Sequence, residues 1–208
     1  LTLDEKIRQL IVPRADSVEH LKELCQEHYG GYYMTYLPGV NGAKGMAEII
    51  KSLQGEMKIP AIISCDTETG LGQVIRDAGC VEFPYMMAFG SAGKPEYIYR
   101  SAQRTAREAQ ACGYNMTYGP VVDVNVNADN IISNIRSFGD EPDTVIKFSI
   151  AAINGYQSNG GYMACAKHFP GEGFCQKDPH HSLEVIDIPL YEMYRLHLAP
   201  FKAAIEAS

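Results

Sequence analysis

Residues 60–70, PAIISCDTETG, decide the fold. From Ala61 to Cys65 the run is almost continuously apolar and then ends abruptly on Asp66, Thr67 and Glu68. A strand with one wet face alternates apolar and polar residues, whereas an unbroken apolar run marks a strand covered on both faces, as in a parallel sheet. Pro60 opens the run and Gly70 closes it, so a strand over Ile63 to Asp66 is expected, with its polar residues at the C-terminal end.

The same grammar repeats outward from that stretch. Upstream, the spacing predicts a helix over Asn41 to Met57, a strand in GGYYMTYL, a helix over Ser17 to His28 capped by Asp16 or Ser17, and a short helix leading into a strand in KIRQLIVPRA. Downstream, a long helix over Lys94 to Cys112 stops at Gly113 and precedes MTYGPVVDVN, with a strand expected over Val121 to Val124. A helix over Asp140 to Asn159 is followed by a strand over Met163 to Lys167, and a last helix over Tyr191 to Ala207 carries Leu196, Phe201 and Ile205 at helical spacing. Five strand and helix units alternate, each with polar residues at the strand's C-terminal end: Asp66, then Asp123 and Asn125, then Lys167 and His168. That end is where a (β/α)8 barrel builds its sites. A doubly wound sheet obeys a similar rule, but no glycine-rich dinucleotide turn follows the first strand. The expected fold is therefore α/β, a TIM (β/α)8-type barrel. Because eight units usually take ~250 residues, the 208 residues are expected to hold the first five or so units of one domain, 1–208, whose C-terminal part is missing.

Composition narrows the function. With 46% hydrophobic and 21% charged residues the chain can bury an ordinary core. A net charge of −7 argues against nucleic acid and anionic membrane surfaces as general partners, and the longest apolar runs fall well short of a membrane span. Six cysteines without CxxC pairs read as mostly buried thiols, which favours a reducing, cytoplasmic compartment; a secreted or periplasmic location follows if a leader was removed.

Chemistry concentrates in AKHFPGEGFCQKDPHHSLEVIDIP, residues 166–189, which holds three of the six histidines. KHFPGEG at 167–173, followed after four residues by DPH at 178–180, resembles the signature of glycoside hydrolase family 3 in its β-N-acetylhexosaminidase branch. LTLDEKIRQL at 1–10, DTETGLGQVIR at 66–76 and IRSFGDEP at 135–142 agree with further blocks of that family in the same order. The resemblance implies a retaining exo-glycosidase that releases terminal β-linked N-acetylhexosamine, or glucose, without a cofactor, in carbohydrate metabolism such as peptidoglycan recycling. It implies that Asp66, Arg76, Arg136, Lys167 and His168 hold the terminal sugar, which suits a ring whose neighbouring hydroxyls need both acceptors and cationic donors.

Most glycosidases use two carboxyl groups. This branch replaces the proton donor with a histidine and aspartate on a loop, and the matching pair here is His180 and Asp178. An imidazole with pKa near ~6.5 can protonate a leaving oxygen and then activate water. His181 competes for the role, as does Glu172, which stands where many relatives carry histidine. A metal reading would combine His168, His180, His181 and Asp178, yet their spacing matches no zinc motif, so no metal is expected. The family's nucleophile is an aspartate after the seventh strand; Asp123, Asp129 and Asp187 lie in no segment resembling it, so the nucleophile is expected beyond residue 208. Three alternatives stay open: phosphorolysis, a non-catalytic carbohydrate-binding remnant that is inactive as this fragment, and self-association through the incomplete barrel edge.

Overall fold

The computed structural model describes residues 1–76 and 79–207. Helix α1, Leu3–Arg8, starts at a reciprocal cap in which Thr2 accepts from the Glu5 N–H while the Glu5 carboxylate accepts from the Thr2 N–H. Strand β1, Arg14–Ala15, and helix α2, Val18–Cys25, follow, with the Ser17 hydroxyl accepting from the His20 N–H at 3.0 Å. Then come β2, Gly31–Met34; α3, Gly42–Glu56; β3, Ile62–Cys65; α4, Met86–Ala92; and α5, Pro95–Ala111. The chain continues through β4, Met116–Thr117; α6, Pro142–Gln157; β5, Met163–Ala164; α7, Leu190–Glu192; a π-helical stretch, Met193–Leu198; and α8, Ala199–Ala207. Pro95 and Pro142 each open their helix where the missing N–H costs no bond.

All five strands are parallel and lie side by side in chain order, β1 to β5. A doubly wound sheet would reverse its order part-way; an unreversed order is an arc of a barrel. Tyr32 and Met34 are completely buried in β2, and Ile63, Ser64 and Cys65 are completely buried in succession, so β3 is covered on both faces as its sequence requires. Asn115 lengthens the ladder with its side chain, accepting from the Ile63 N–H at 2.8 Å and donating to Ala61 O at 3.2 Å. On the outside α5 and α6 approach closely: a β-carbon on Gly155 would lie 2.4 Å from Tyr99 O. Among the described residues no helix is long and apolar enough to cross a membrane, and Cys25, Cys65, Cys112 and Cys175 are buried.

Five expectations need correction. The apolar run Leu10 to Val12 forms no strand, because the Leu10 and Ile11 N–H groups stay bonded to Ile7 and Arg8 at the end of α1; these residues are exposed. Asp66 lies just past β3 rather than inside it. The ladder of β4 is confined to Met116 and Thr117, and Val121 to Val124 is no strand. Pro120 has no N–H to give, one bridge joins Val121 to Lys167, and Asn125 turns away to bond Gly139 O. Likewise β5 stops at Ala164, since the Cys165 N–H is shared between Thr117 O and Gly119 O. The C-terminal helix is broken by its π-helical stretch just ahead of Pro200, whose ring would crowd the carbonyl one turn back in a regular helix.

Candidate active site

The C-terminal ends of β2, β3 and β5 meet at Asp66. The Tyr33 hydroxyl donates to Asp66 Oδ2 at 2.5 Å and the Lys167 ammonium to Asp66 Oδ1 at 2.5 Å. Lys167 is carried there by the segment after β5, where its carbonyl accepts from the Val122 N–H at 2.7 Å. The same ammonium lies 2.6 Å from Glu68 Oε1. Arg136 completes the ring: its Nε donates to Glu68 Oε2 at 2.9 Å and its Nη2 to Glu68 Oε1 at 2.7 Å. Burial opposes the charged form of Glu68, but the Arg136 hydrogen bond and the charges of Lys167 and Arg136 outweigh it and hold the carboxyl down at about 2. The reciprocal bond to Glu68 raises the Arg136 pKa above its ordinary value. Arg136 ends a short 3-10 turn, Asn134–Arg136, anchored by Asn130, whose Oδ1 accepts from the Ile132 and Ser133 N–H groups at 2.8 Å. The Asn130 amide also donates to Glu172 O at 2.6 Å, tying this turn to the KHFPGEG loop.

That loop is held from beneath by Asp123, whose side chain is fully buried. Asp123 accepts from the His168 ring at 2.7 Å, from the His168 N–H at 3.3 Å and from the Glu172 N–H at 2.7 Å. The other ring nitrogen, His168 Nε2, lies 3.1 Å from Arg136 Nη2. Both glycines of the loop are forced. Gly171 has φ +125° and faces the His197 side chain, and a β-carbon on Gly173 would fall 1.6 Å from Val124 O. Burial raises the Glu172 pKa above the usual carboxylate value.

Asp66, Glu68, Arg136, Lys167 and His168 line one open cleft of about 560 Å³ together with Gln73, Tyr85, Tyr118 and His180. His180 is 80% exposed at its rim, and its Nδ1 lies 2.6 Å from Asp178 Oδ1, which also accepts from the His180 N–H at 2.8 Å. Those two bonds, backbone first, lower the Asp178 pKa, so the carboxylate accepts and Nδ1 carries the proton between them. His181 is also exposed, with Nε2 3.8 Å from Asp178 Oδ2. Arg76 is exposed and lines an adjoining cleft of about 680 Å³ that shares Asp66 and Gln73 with the first. Of the residues predicted to hold sugar, Arg76 is therefore the one set apart from the others. Among the described residues the group able to hold a metal ion is a different one from that weighed in the sequence: Asp123, His168 and Glu172, with ligand atoms all within 4.8 Å of one another.

The sequence profile of the glycosyl hydrolase family 3 N-terminal domain matches residues 2–208. The chain belongs to glycoside hydrolase family 3. Its relatives in the family include a β-N-acetylglucosaminidase/β-glucosidase of Cellulomonas fimi, 31% identical over 98% of this chain and 36% of that protein. Among solved structures, a family 3 β-N-acetylglucosaminidase from a Paenibacillus species superposes with a TM-score of 0.87 at 29% identity, covering 100% of this chain and 40% of that one. A β-glucoside phosphorylase, BglX, also superposes with a TM-score of 0.87, at 27% identity over 100% of this chain and 36% of that one. The chain thus spans about a third to a half of the length of the curated relatives it matches.

Tyr33, Glu68 and Asp123 shape the site but were given no role in it from the sequence. Glu68 had a visible signal, since it shares the polar end of β3 with Asp66. Asp123 was considered as a nucleophile and set aside; its bonds to a single loop show another use. Tyr33 had no signal of its own, because a tyrosine in an apolar run reads as core.

Proposed function

We propose that this chain provides the sugar cradle and the proton shuttle of a retaining exo-acting β-N-acetylhexosaminidase. The observation that carries the reading is that His180, already paired to Asp178, opens onto the same cleft as Asp66, Lys167, Arg136 and His168. The terminal sugar's hydroxyls exchange hydrogen bonds with Asp66, Lys167, Arg136 and His168, while Arg76 reaches from the adjoining cleft. His180, charged against Asp178, donates a proton to the leaving oxygen; once neutral, it takes a proton from the water that resolves the glycosyl-enzyme. The attacking carboxylate comes from a residue outside these five units, because the carboxylates at and beneath the cleft are engaged: Asp66 by Lys167 and Tyr33, Glu68 by Arg136 and Lys167, and Asp123 by the loop. A neutral imidazole, unlike a carboxylate base, does not repel phosphate, so phosphorolysis shares the same machinery.

The test has two parts. The 208-residue chain, titrated calorimetrically with N-acetylglucosamine and with glucose, binds the former more tightly and turns over 4-nitrophenyl N-acetyl-β-glucosaminide negligibly. The protein carrying the nucleophile releases 4-nitrophenol from that substrate faster than from the β-glucoside, with or without phosphate. Preference for the glucoside, or a requirement for phosphate, replaces this reading with one of the two variants.

A further inference from the structure

A sugar seated on Asp66, Lys167, Arg136 and His168 must keep its glycosidic oxygen within reach of His180, so its aglycone leaves on the His180 side of the cleft. What stands at that mouth follows from exposure. Of the described residues that line the cleft, only His180 and Tyr85 are exposed, and the rest are buried or half-buried. Tyr85 keeps 45% of its surface open, and an aromatic ring is a side chain with much to gain from being covered. The other tyrosine rings of the site are already engaged: Tyr118 packs on Tyr33 with centroids 5.8 Å apart, and the Tyr33 hydroxyl is given to Asp66. Tyr85 is held at the mouth from both sides. Two residues before it, the Phe83 N–H donates to Thr69 O at 2.6 Å, next to Glu68. After it, Met86 and Phe89 bury the inner face of α4, and a β-carbon on Gly90 would overlap Phe138 O, two residues past Arg136. The segments that carry Glu68 and Arg136 into the cradle therefore also fix where Tyr85 stands.

We infer that Tyr85 is the platform for the aglycone, and that the aglycone it suits is a second β-linked pyranose. The inference rests on the proposed sugar-binding role of this cleft and adds the leaving group to it. A pyranose with equatorial hydroxyls keeps its polar groups near the ring plane and turns C–H groups above and below, so one face is apolar enough to lie on an aromatic ring. A methyl aglycone is too small to cover the ring, whereas a sugar covers it.

The test compares, by calorimetry on the 208-residue chain, two ligands that fill the cradle alike. One is methyl N-acetyl-β-glucosaminide, and the other is the β-1,4-linked disaccharide of N-acetylglucosamine. The disaccharide binds about tenfold tighter. Tyr85→Ala brings that ratio close to one, and Tyr85→Phe keeps it, because the ring rather than the hydroxyl makes the contact. The Tyr85 side chain makes no cap bond to α4, so its truncation leaves the helix intact. Tyr36→Ala locates the second ring independently, since Tyr36 is 47% exposed and lines the adjoining cleft with Arg76. If Tyr36→Ala abolishes the preference and Tyr85→Ala keeps it, the second ring lies on the Arg76 side and the inference is overturned. A wild-type ratio near one overturns it too, as does a Tyr85→Phe that behaves like Tyr85→Ala. Failure of both ligands to bind refutes the sugar cradle itself and the inference with it, whereas binding of both with no part for Tyr85 refutes the inference alone.

Discussion

Glu68 and Arg136 meet through two parallel hydrogen bonds, with only 5% of the Glu68 side chain open to solvent. The pair makes acid stability predictable. The Glu68 carboxyl titrates at about 2 in the folded protein against an ordinary 4.5, so the unfolded chain binds its proton first as pH falls. The stabilisation is complete above about pH 5 and is lost progressively towards pH 2, on the order of 3 kcal/mol in all. Denaturant midpoints measured from pH 7 down to pH 2.5 should fall steeply below pH 5. Glu68→Gln should flatten that fall and cost roughly 3 kcal/mol at pH 7, since it leaves Arg136 and Lys167 with one buried counter-charge fewer.

Gly173 gives a sharper structural test. Alanine there has no room, because the obstruction is the Val124 carbonyl oxygen rather than a side chain that could turn aside. Gly173→Ala should cost roughly 3 kcal/mol or more and lower sugar affinity by lifting the loop off Asp123. Gly55, inside α3, has nothing within 4 Å of the same added carbon. Gly55→Ala should instead stabilise by about 0.5–1 kcal/mol. Thermal unfolding of the two variants side by side checks both signs.

What could be read in advance follows from how local each signal is. The covered strand at Ile62 to Cys65 and the helices opened by Pro95 and Pro142 declare themselves over short windows, and their order sufficed for the barrel class. The strand expected at Val121 to Val124 failed because its apolar residues are equally good core: Val121, Val122 and Val124 are buried without forming a ladder. In the site, Asp66 and Lys167 are 101 residues apart in sequence yet touch, as two strand ends on one rim should. The partners of Asp123 were hidden because, apart from the His168 ring, its bonds run to backbone N–H groups, which every residue but proline carries.

Asp66 makes a prediction about binding rather than chemistry. Held by Tyr33 and Lys167, its carboxylate is fixed before any sugar arrives, and its proposed contact is to the sugar retained in both steps. Asp66→Asn should weaken N-acetylglucosamine binding about tenfold to a hundredfold and lower kcat/KM for every leaving group by the same factor. A loss that varied with the leaving group would move Asp66 from sugar binding to proton transfer.

Leaving-group dependence isolates His180. A 4-nitrophenolate leaves without help, whereas a sugar alkoxide needs a proton as the bond breaks. His180→Ala in the hydrolytically competent protein should therefore slow release of a sugar or alkyl aglycone by about a hundredfold or more, while glycosylation by the aryl substrate falls far less. Asp178→Asn should give a milder form of the same pattern, because it removes the charge facing Nδ1 while leaving the ring in place, and should shift the alkaline limb of the rate profile for a sugar or alkyl aglycone to lower pH by making the imidazolium less favoured. His181→Ala should show no dependence on the leaving group, since His181 is exposed and outside the residues that line the cleft. The rival outcome is specific. Glu172, with its carboxyl pKa raised by burial, is the other group able to hold a proton beside the cradle. If Glu172→Gln produced the graded effect and His180→Ala slowed all substrates alike, the proton would be coming from Glu172, and the Asp178 and His180 pair would be a turn on the surface of the loop.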